Sequence, residues 1–115
     1  MIENNKFMSL FNSTFVGNLT ADAEFKTLQN SEKSPINFSI AINMKENEVV
    51  YINFVYWTKT AEPTKILEFL KKGQKVAVVS DYIKEEKYST KDGTQKEKLV
   101  FGVSKIDLCG SAKQQ

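Results

Sequence analysis

The clearest pattern along the chain is a run of strand-forming residues from Val49 to Trp57. The run reads Val-Val-Tyr-Ile-Asn-Phe-Val-Tyr-Trp, and every residue except Asn53 is β-branched or aromatic. This composition favours a pleated strand over a helix. Because side chains alternate along a strand, two opposite faces are predicted. One face carries Val50, Ile52, Phe54 and Tyr56, and the other carries Val49, Tyr51, Asn53, Val55 and Trp57.

The second of these faces is the candidate for contact with a ligand. Tyr51 and Trp57 are six positions apart, which is about 20 Å along an extended strand. Two large rings at that separation suit a row of planar groups such as the bases of a single nucleic-acid strand. The alternative interpretation is that both rings pack in the core or at a subunit interface. Phe38, Phe54 and Tyr56 are assigned to the core.

The chain before this strand contains further strand patterns. A strand is predicted from Phe11 to Val16, and Gly17 with the polar residues after it predicts a bend and a turn. Residues 1–9 are an edge strand or a lead-in, residues 25–28 a short strand, and residues 29–34 a surface loop that ends at Pro35. Residues 37–45 alternate between apolar and polar, which predicts a half-buried antiparallel strand.

Residues 45–48 are a polar connection of hairpin length, so the alternating strand and the aromatic strand should pair side by side. Their polar and aromatic faces then lie on the same side. After Trp57, Pro63 is placed near a helix start, and residues 64–72 predict a helix that Gly73 terminates. Residues 75–87 and 97–109 predict two strands that project as a ribbon around the Asp92-Gly93 turn.

Three strands, one helix and two strands follow each other in this reading. This order is that of the oligonucleotide-binding fold (OB-fold), an all-β five-stranded antiparallel Greek-key barrel with one helix between strands 3 and 4. We expect one domain over residues 1–115, with a core from about 11 to 110, because 115 residues is a common single-domain size.

Composition limits the class of protein. The chain is 41% hydrophobic and 26% charged, and it contains no apolar run of the roughly 20 residues that cross a membrane. Its start lacks the pattern of a secretory signal, and the lone Cys109 cannot form an internal disulfide. We therefore expect a cytoplasmic protein in which Cys109 is an inert apolar residue.

Charge and residue usage limit the chemistry. All 16 basic residues are lysines, there is no histidine, and the net charge is +2. Lysine suits contacts with phosphates, whereas sequence-specific reading of duplex DNA relies on the forked guanidinium that the chain lacks. Without histidine and with one cysteine, neither a metal site nor a cofactor is expected, and enzymatic activity is disfavoured. Asp22 and Glu24 are assigned to turn formation.

An ordered set of short motifs resembles the bacterial single-stranded-DNA-binding proteins. The segment from Phe15 to Phe25, with Gly-Asn-Leu followed by Asp-x-Glu, is similar to the opening of that family. Asn37-Phe38-Ser39-Ile40-Ala41 resembles its second strand, residues 66–73 its helix end, and Lys87-Tyr88 with Asp92-Gly93 its long hairpin. The resemblance covers roughly residues 11–110.

The resemblance implies specific base-stacking positions. Tyr51 and Tyr88 fall where the family has stacking tryptophans, and Trp57 falls where it has a stacking phenylalanine. The chain departs from the pattern in two places: Asp81 to Lys87 holds one extra residue, and Glu46 lies near the place of a further stacking aromatic.

The function implied is sequence-independent binding of single-stranded DNA, which protects exposed strands in replication, recombination or repair. Rings would stack on bases while lysines contact phosphates. The alternative is a protein-interaction module on the same barrel, as in a primosomal accessory factor with secondary DNA binding. The candidate DNA-binding residues are Tyr51, Trp57, Tyr88, Asn53, Lys26, Lys45, Lys59, Lys84, Lys87, Lys91, Lys96 and Lys98.

The resemblance also bears on assembly. It implies a homo-oligomer, a tetramer or alternatively a dimer, built through the first strand and the sheet faces. The acidic, aromatic-tipped tail with which the family recruits replication proteins has no counterpart in Ser111-Ala112-Lys113-Gln114-Gln115. The sequence therefore predicts no such recruiting peptide.

Overall fold

The computed structural model describes residues 12–59 and 66–109. The predicted lead-in before residue 12, the helix start at Pro63 and the C-terminal residues after 109 lie outside the described residues. The strands are β1 (Ser13–Leu19), β2 (Glu24–Phe25), β3 (Lys33–Asn43), β4 (Val49–Lys59), β5 (Lys75–Ser89) and β6 (Gln95–Leu108), and the described part of the helix is α1 (Ile66–Phe69).

The five long strands close into a barrel. β1 pairs with β5, β5 with β6, β6 with β4, β4 with β3, and β3 with β1. All of these pairings are antiparallel except β4 with β6, which is parallel. The predicted OB-fold is confirmed, and the connection between β3 and β4 is a hairpin, as its length predicted.

The core lies inside this barrel and is built from the inward-facing residues of every long strand. The Phe54 ring stacks on Phe38 with centroids 5.3 Å apart, and Phe15 meets it edge-on at 5.5 Å. Burial of a side chain of this size contributes roughly 1.5 to 3 kcal/mol. The core cluster consists of Leu19, Ile36, Phe38, Ile40, Phe54, Leu70, Val76, Val78 and Val103, with Tyr56 packed against it.

The first strand differs from its prediction, because it continues through Gly17 to Leu19 instead of stopping there. The glycine is required by close approach rather than by a bend. A Cβ on Gly17 would lie 2.5 Å from the Ala41 carbonyl oxygen. The absence of a side chain lets β1 reach β3, and the pairs Asn18–Ala41 and Leu19–Ile40 then close the barrel.

The predicted loop at residues 29–34 was also partly wrong, because β3 begins at Lys33 and includes Pro35. Pro35 has no N–H to donate, but its carbonyl accepts a hydrogen bond from the Lys26 N–H at 3.1 Å. The short strand predicted at residues 25–28 is instead the two-residue β2, Glu24–Phe25.

The helix ends earlier than its prediction, at Phe69 rather than Lys72. Leu70 is fully buried, and the backbone beyond it bonds to other segments instead of continuing the helix. The Lys72 N–H donates to Asp22 Oδ1 at 2.8 Å, and the Gly73 N–H donates to the Leu19 carbonyl at 2.9 Å. Asp22 therefore joins the end of the helix segment to the turn after β1, which agrees with its assignment to turn structure.

The last two strands form a long ribbon whose register contains two irregularities. Val79 pairs with Lys105 and Ser80 with Val103, so Ser104 is an extra residue; Tyr82 then pairs with Gly102, so Asp81 is a second. Such bulges reverse the alternation of side chains along the strand that contains them. Val76, Val78 and Ser80 face the core, but beyond Asp81 the even-numbered residues of β5 face outward.

Candidate nucleic-acid interface

The outer face of β4 presents the two rings singled out in the sequence. Tyr51 is 66% exposed and Trp57 38% exposed, whereas Phe54 on the opposite face is 1% exposed. The predicted alternation therefore holds around Phe54. It is wrong at Val50, which is 41% exposed on the predicted core face, because the tip of the β3–β4 hairpin extends past the packed interior.

Val55 differs as well, because it is buried although it shares a face with Tyr51 and Trp57. It pairs with Asn37 on one side and with Gly102 on the other, so neighbouring strands flank it. The outer face of β4 thus has a buried apolar residue near its middle and an exposed ring toward each end.

A groove of about 590 Å³ crosses this face and includes Asn53, Val55 and Trp57 of β4. It runs between the segment after β1 and the β5–β6 ribbon. Its polar floor comes from the pair Ser39–Asn53 and from Asn37, so the prediction that the polar faces of these two strands lie together is confirmed. The candidate residues brought together in it are Trp57, Asn53, Lys26, Lys84 and Lys98.

The charges that line the groove are balanced. Three lysines face three carboxylates, and their formal charges cancel. One pair is in direct contact, since Lys84 Nζ lies 3.5 Å from Glu86 Oε2. The six residues are Lys26, Lys84, Lys98, Asp22, Glu24 and Glu86.

The ribbon continues the groove face toward its tip. Tyr88 is exposed and lies directly opposite Lys96, and the Lys98 ammonium lies 5.8 Å from the centroid of the Tyr88 ring. This geometry is that of a cation–π contact. Tyr88, Lys96 and Lys98 therefore form one cluster on the outer side of the ribbon.

The remaining candidates lie outside the groove. Tyr51 stands near the other end of β4, Lys45 lies in the hairpin turn, and Lys59 ends β4 opposite Lys33. Lys91 lies in the turn of the ribbon, and Lys87 follows Glu86 on the opposite face of β5. The candidate residues outside the groove therefore lie near the two ends of β4 and on the ribbon.

One outward-facing residue that the sequence analysis did not predict is Tyr82. Its ring covers Gly102, so closely that a Cβ on Gly102 would overlap the ring atoms. Phe101 and Val103, which flank Gly102, pack toward the core, so Gly102 and the Tyr82 ring lie on the outer face. The signal available in the sequence was the extra residue between Asp81 and Lys87.

The tip of the ribbon is held by Asp92. Its carboxylate accepts the Thr90 hydroxyl and the Thr94 N–H, the latter at 3.1 Å. These hydrogen bonds, that from Thr90 most of all, lower the pKa of Asp92 from 3.8 to about 2. Gly93 beside it has a φ of 87°, which suits glycine, so the predicted Asp-Gly turn is confirmed.

Comparison with known proteins identifies the family. The sequence model of the single-strand binding protein family matches residues 10–109. The chain therefore belongs to the single-strand binding protein family. Membership agrees with the expectation of a binding protein rather than an enzyme.

Two curated relatives come from Clostridium acetobutylicum. Single-stranded DNA-binding protein 2 is 34% identical over an alignment of 86 residues, and the match covers 70% of this chain and 62% of that protein. Single-stranded DNA-binding protein 1 is 31% identical over an alignment of 87 residues, and the match covers 70% of this chain and 76% of that protein. The match thus spans somewhat less than two thirds of the first relative and about three quarters of the second.

A solved structure supports the fold. The crystal structure of the mitochondrial single-stranded DNA binding protein Rim1 from S. cerevisiae superposes with a TM-score of 0.63 at 19% identity, covering 86% of this chain and 94% of Rim1. Within residues 12–59 and 66–109, no helix is long and apolar enough to cross a membrane.

Proposed function

We propose that the chain binds single-stranded DNA without sequence preference, through base stacking on exposed rings and lysine contacts to phosphates. The observation that carries this proposal is the position of Trp57. Its ring is partly exposed and lines a groove together with Lys26, Lys84 and Lys98. A planar stacking surface beside ammonium groups is what a binder of flexible single strands needs.

The other candidate residues extend this surface. Tyr51 offers a more exposed ring on the same face of β4, and Tyr88 offers a third on the ribbon. Asn53 supplies an amide on the groove floor, and Lys45, Lys59, Lys87, Lys91 and Lys96 supply charges around it. The one-domain organisation over residues 1–115 remains part of the proposal.

The fluorescence of Trp57, the only tryptophan in the chain, tests the proposal. Titration with unstructured oligo-dT at low salt should give saturable quenching, because a stacked base changes the environment of the indole. Binding should weaken as salt rises, since phosphate contacts release counterions. A folded protein that shows neither quenching nor a preference for single-stranded over duplex DNA contradicts the proposal and favours a protein-interaction module.

We propose further that the protein assembles as a homo-oligomer, a tetramer or a dimer, and protects exposed strands in replication, recombination or repair in the cytoplasm. Two features of β1 support assembly. In the described part of the chain, residues 13–16 pair with β5 alone, and Val16 is 46% exposed. A strand with one open edge and an exposed apolar side chain is suited to pairing with a second copy.

A further inference from the structure

The groove has an unusual charge balance for a surface that contacts a polyanion. Its three lysines are matched by three carboxylates, so its lining adds no net attraction for phosphates. In the part of the chain that the structure describes, two of the carboxylates form no ion pair with a groove lysine. Asp22 accepts the Lys72 N–H, and Glu24 lies on the exposed edge strand β2. Glu86 is different.

Glu86 lies between two groove lysines. Its Oε2 is 3.5 Å from Lys84 Nζ, two residues away on the same face of β5, and it stands directly opposite Lys98 in the antiparallel ladder. Side chains at directly opposed positions have Cβ atoms about 5 Å apart. The carboxylate therefore occupies the position that a phosphate would take beside Lys84.

We infer that Glu86 lowers the affinity for single-stranded DNA by competing intramolecularly with the DNA phosphate for Lys84. This inference rests on the proposed function. For Lys84 to contact a phosphate, it has to leave Glu86, and the carboxylate then stays beside the phosphate, where its negative charge retains a cation of the ion atmosphere of the DNA. The cation released from the DNA at that contact is thereby offset, and the contact adds little to the salt dependence of binding.

The substitution Glu86→Gln tests the inference, because it keeps the shape of the side chain and removes its charge. Oligo-dT should bind about twofold to fivefold tighter at low salt, which is the range for one exposed ion pair. The plot of log K against log salt should become steeper by about 0.7, the contribution of one phosphate contact on a single strand.

Glu85→Gln is the matched control. Glu85 is the adjacent residue, carries the same charge, is exposed, and points to the opposite face of the ribbon. Its substitution makes the same change in net charge and should leave affinity and salt slope nearly unchanged. If both variants behave alike, or if Glu86→Gln changes nothing, the inference is overturned.

A second measurement tests the route through Lys84. In a Lys84→Ala background, Glu86→Gln should lose most of its effect, because the lysine for which it competes is gone. An undiminished effect there overturns the competition. The wild-type protein in the same titrations tests the proposed function by itself: binding of oligo-dT by the wild type sustains it whatever the Glu86 variants do.

Discussion

Gly17 and Ala41 approach each other where β1 meets β3, with only 2.5 Å between a Cβ built on Gly17 and the Ala41 carbonyl oxygen. The neighbour is backbone, so a side chain at position 17 would separate the two strands rather than displace a flexible group. We predict that Gly17→Ala lowers the free energy of unfolding by about 3 kcal/mol, the upper part of the overpacking range. Urea denaturation measures this, and Gln29→Ala in the exposed turn after β2 should change stability by no more than about 0.5 kcal/mol.

The core-facing side of β4 should differ in importance along its length. Phe54 is packed by Phe15 and Phe38, so Phe54→Ala should lower the free energy of unfolding by about 3 to 5 kcal/mol. Val50 lies on the same face but is largely exposed, so Val50→Ala should lower it by less than about 1 kcal/mol. Equal losses in thermal or urea unfolding would show that the hairpin tip is packed in solution.

Tyr51 is the most exposed large ring of the candidate surface. Tyr51→Ala should weaken oligo-dT binding by about 1 to 3 kcal/mol, the value of stacking one base on an aromatic side chain, while Tyr51→Phe keeps most of the affinity. Val49→Ala removes apolar surface from the same face two residues away and serves as the control in the titration. A Tyr51→Ala protein with wild-type affinity would exclude Tyr51 from the binding surface.

The turn at the tip of the ribbon should be sensitive to acid. Because folding lowers the pKa of Asp92 to about 2, the carboxylate stabilises the turn fully above its ordinary value of 3.8, and this contribution is lost as the pH falls toward 2. NMR titration of the Asp92 carboxyl and of the Thr94 amide measures it. Thr90→Val removes the strongest hydrogen bond and should move the pKa back up; an unchanged pKa would contradict the assigned cause.

The outer surface of β1 should decide assembly. Val16→Glu places a charge on an exposed apolar strand, so the mass measured by light scattering should fall toward that of one chain. Ile83→Glu introduces the same charge at a similarly exposed apolar residue of the ribbon and should leave the mass unchanged. A wild-type mass equal to one chain would contradict the proposed oligomer.

The residues that sequence reasoning placed correctly are those governed by alternation and turn chemistry. The β3–β4 hairpin, its shared polar face, the exposed Tyr51 and Trp57 and the Asp92-Gly93 turn all follow from period-two patterns and residue preferences. Each of these signals is local, so a single sequence contains it.

The features that were missed depend on contacts between distant segments. Gly17 has a turn former's identity, but its role comes from Ala41, 24 positions later in the chain. Val55 is buried by strands on both sides, and Glu86 lies opposite Lys98 only because of the ribbon register. The balance of charge in the groove likewise depends on residues 20–28 and the ribbon, which are far apart in the sequence.

The extra residue at Asp81 shifts the outward-facing positions of β5 from odd-numbered residues before it to even-numbered residues after it. Deleting Asp81 would remove the bulge and place Tyr82 directly after Ser80, so Lys84, Glu86 and Tyr88 would still face outward and keep their partners on β6. Relatives that lack this extra residue would therefore present the same side chains to the same ligand, whereas the loss of one residue from a regularly paired position of β5 would turn the residues beyond it to the other side.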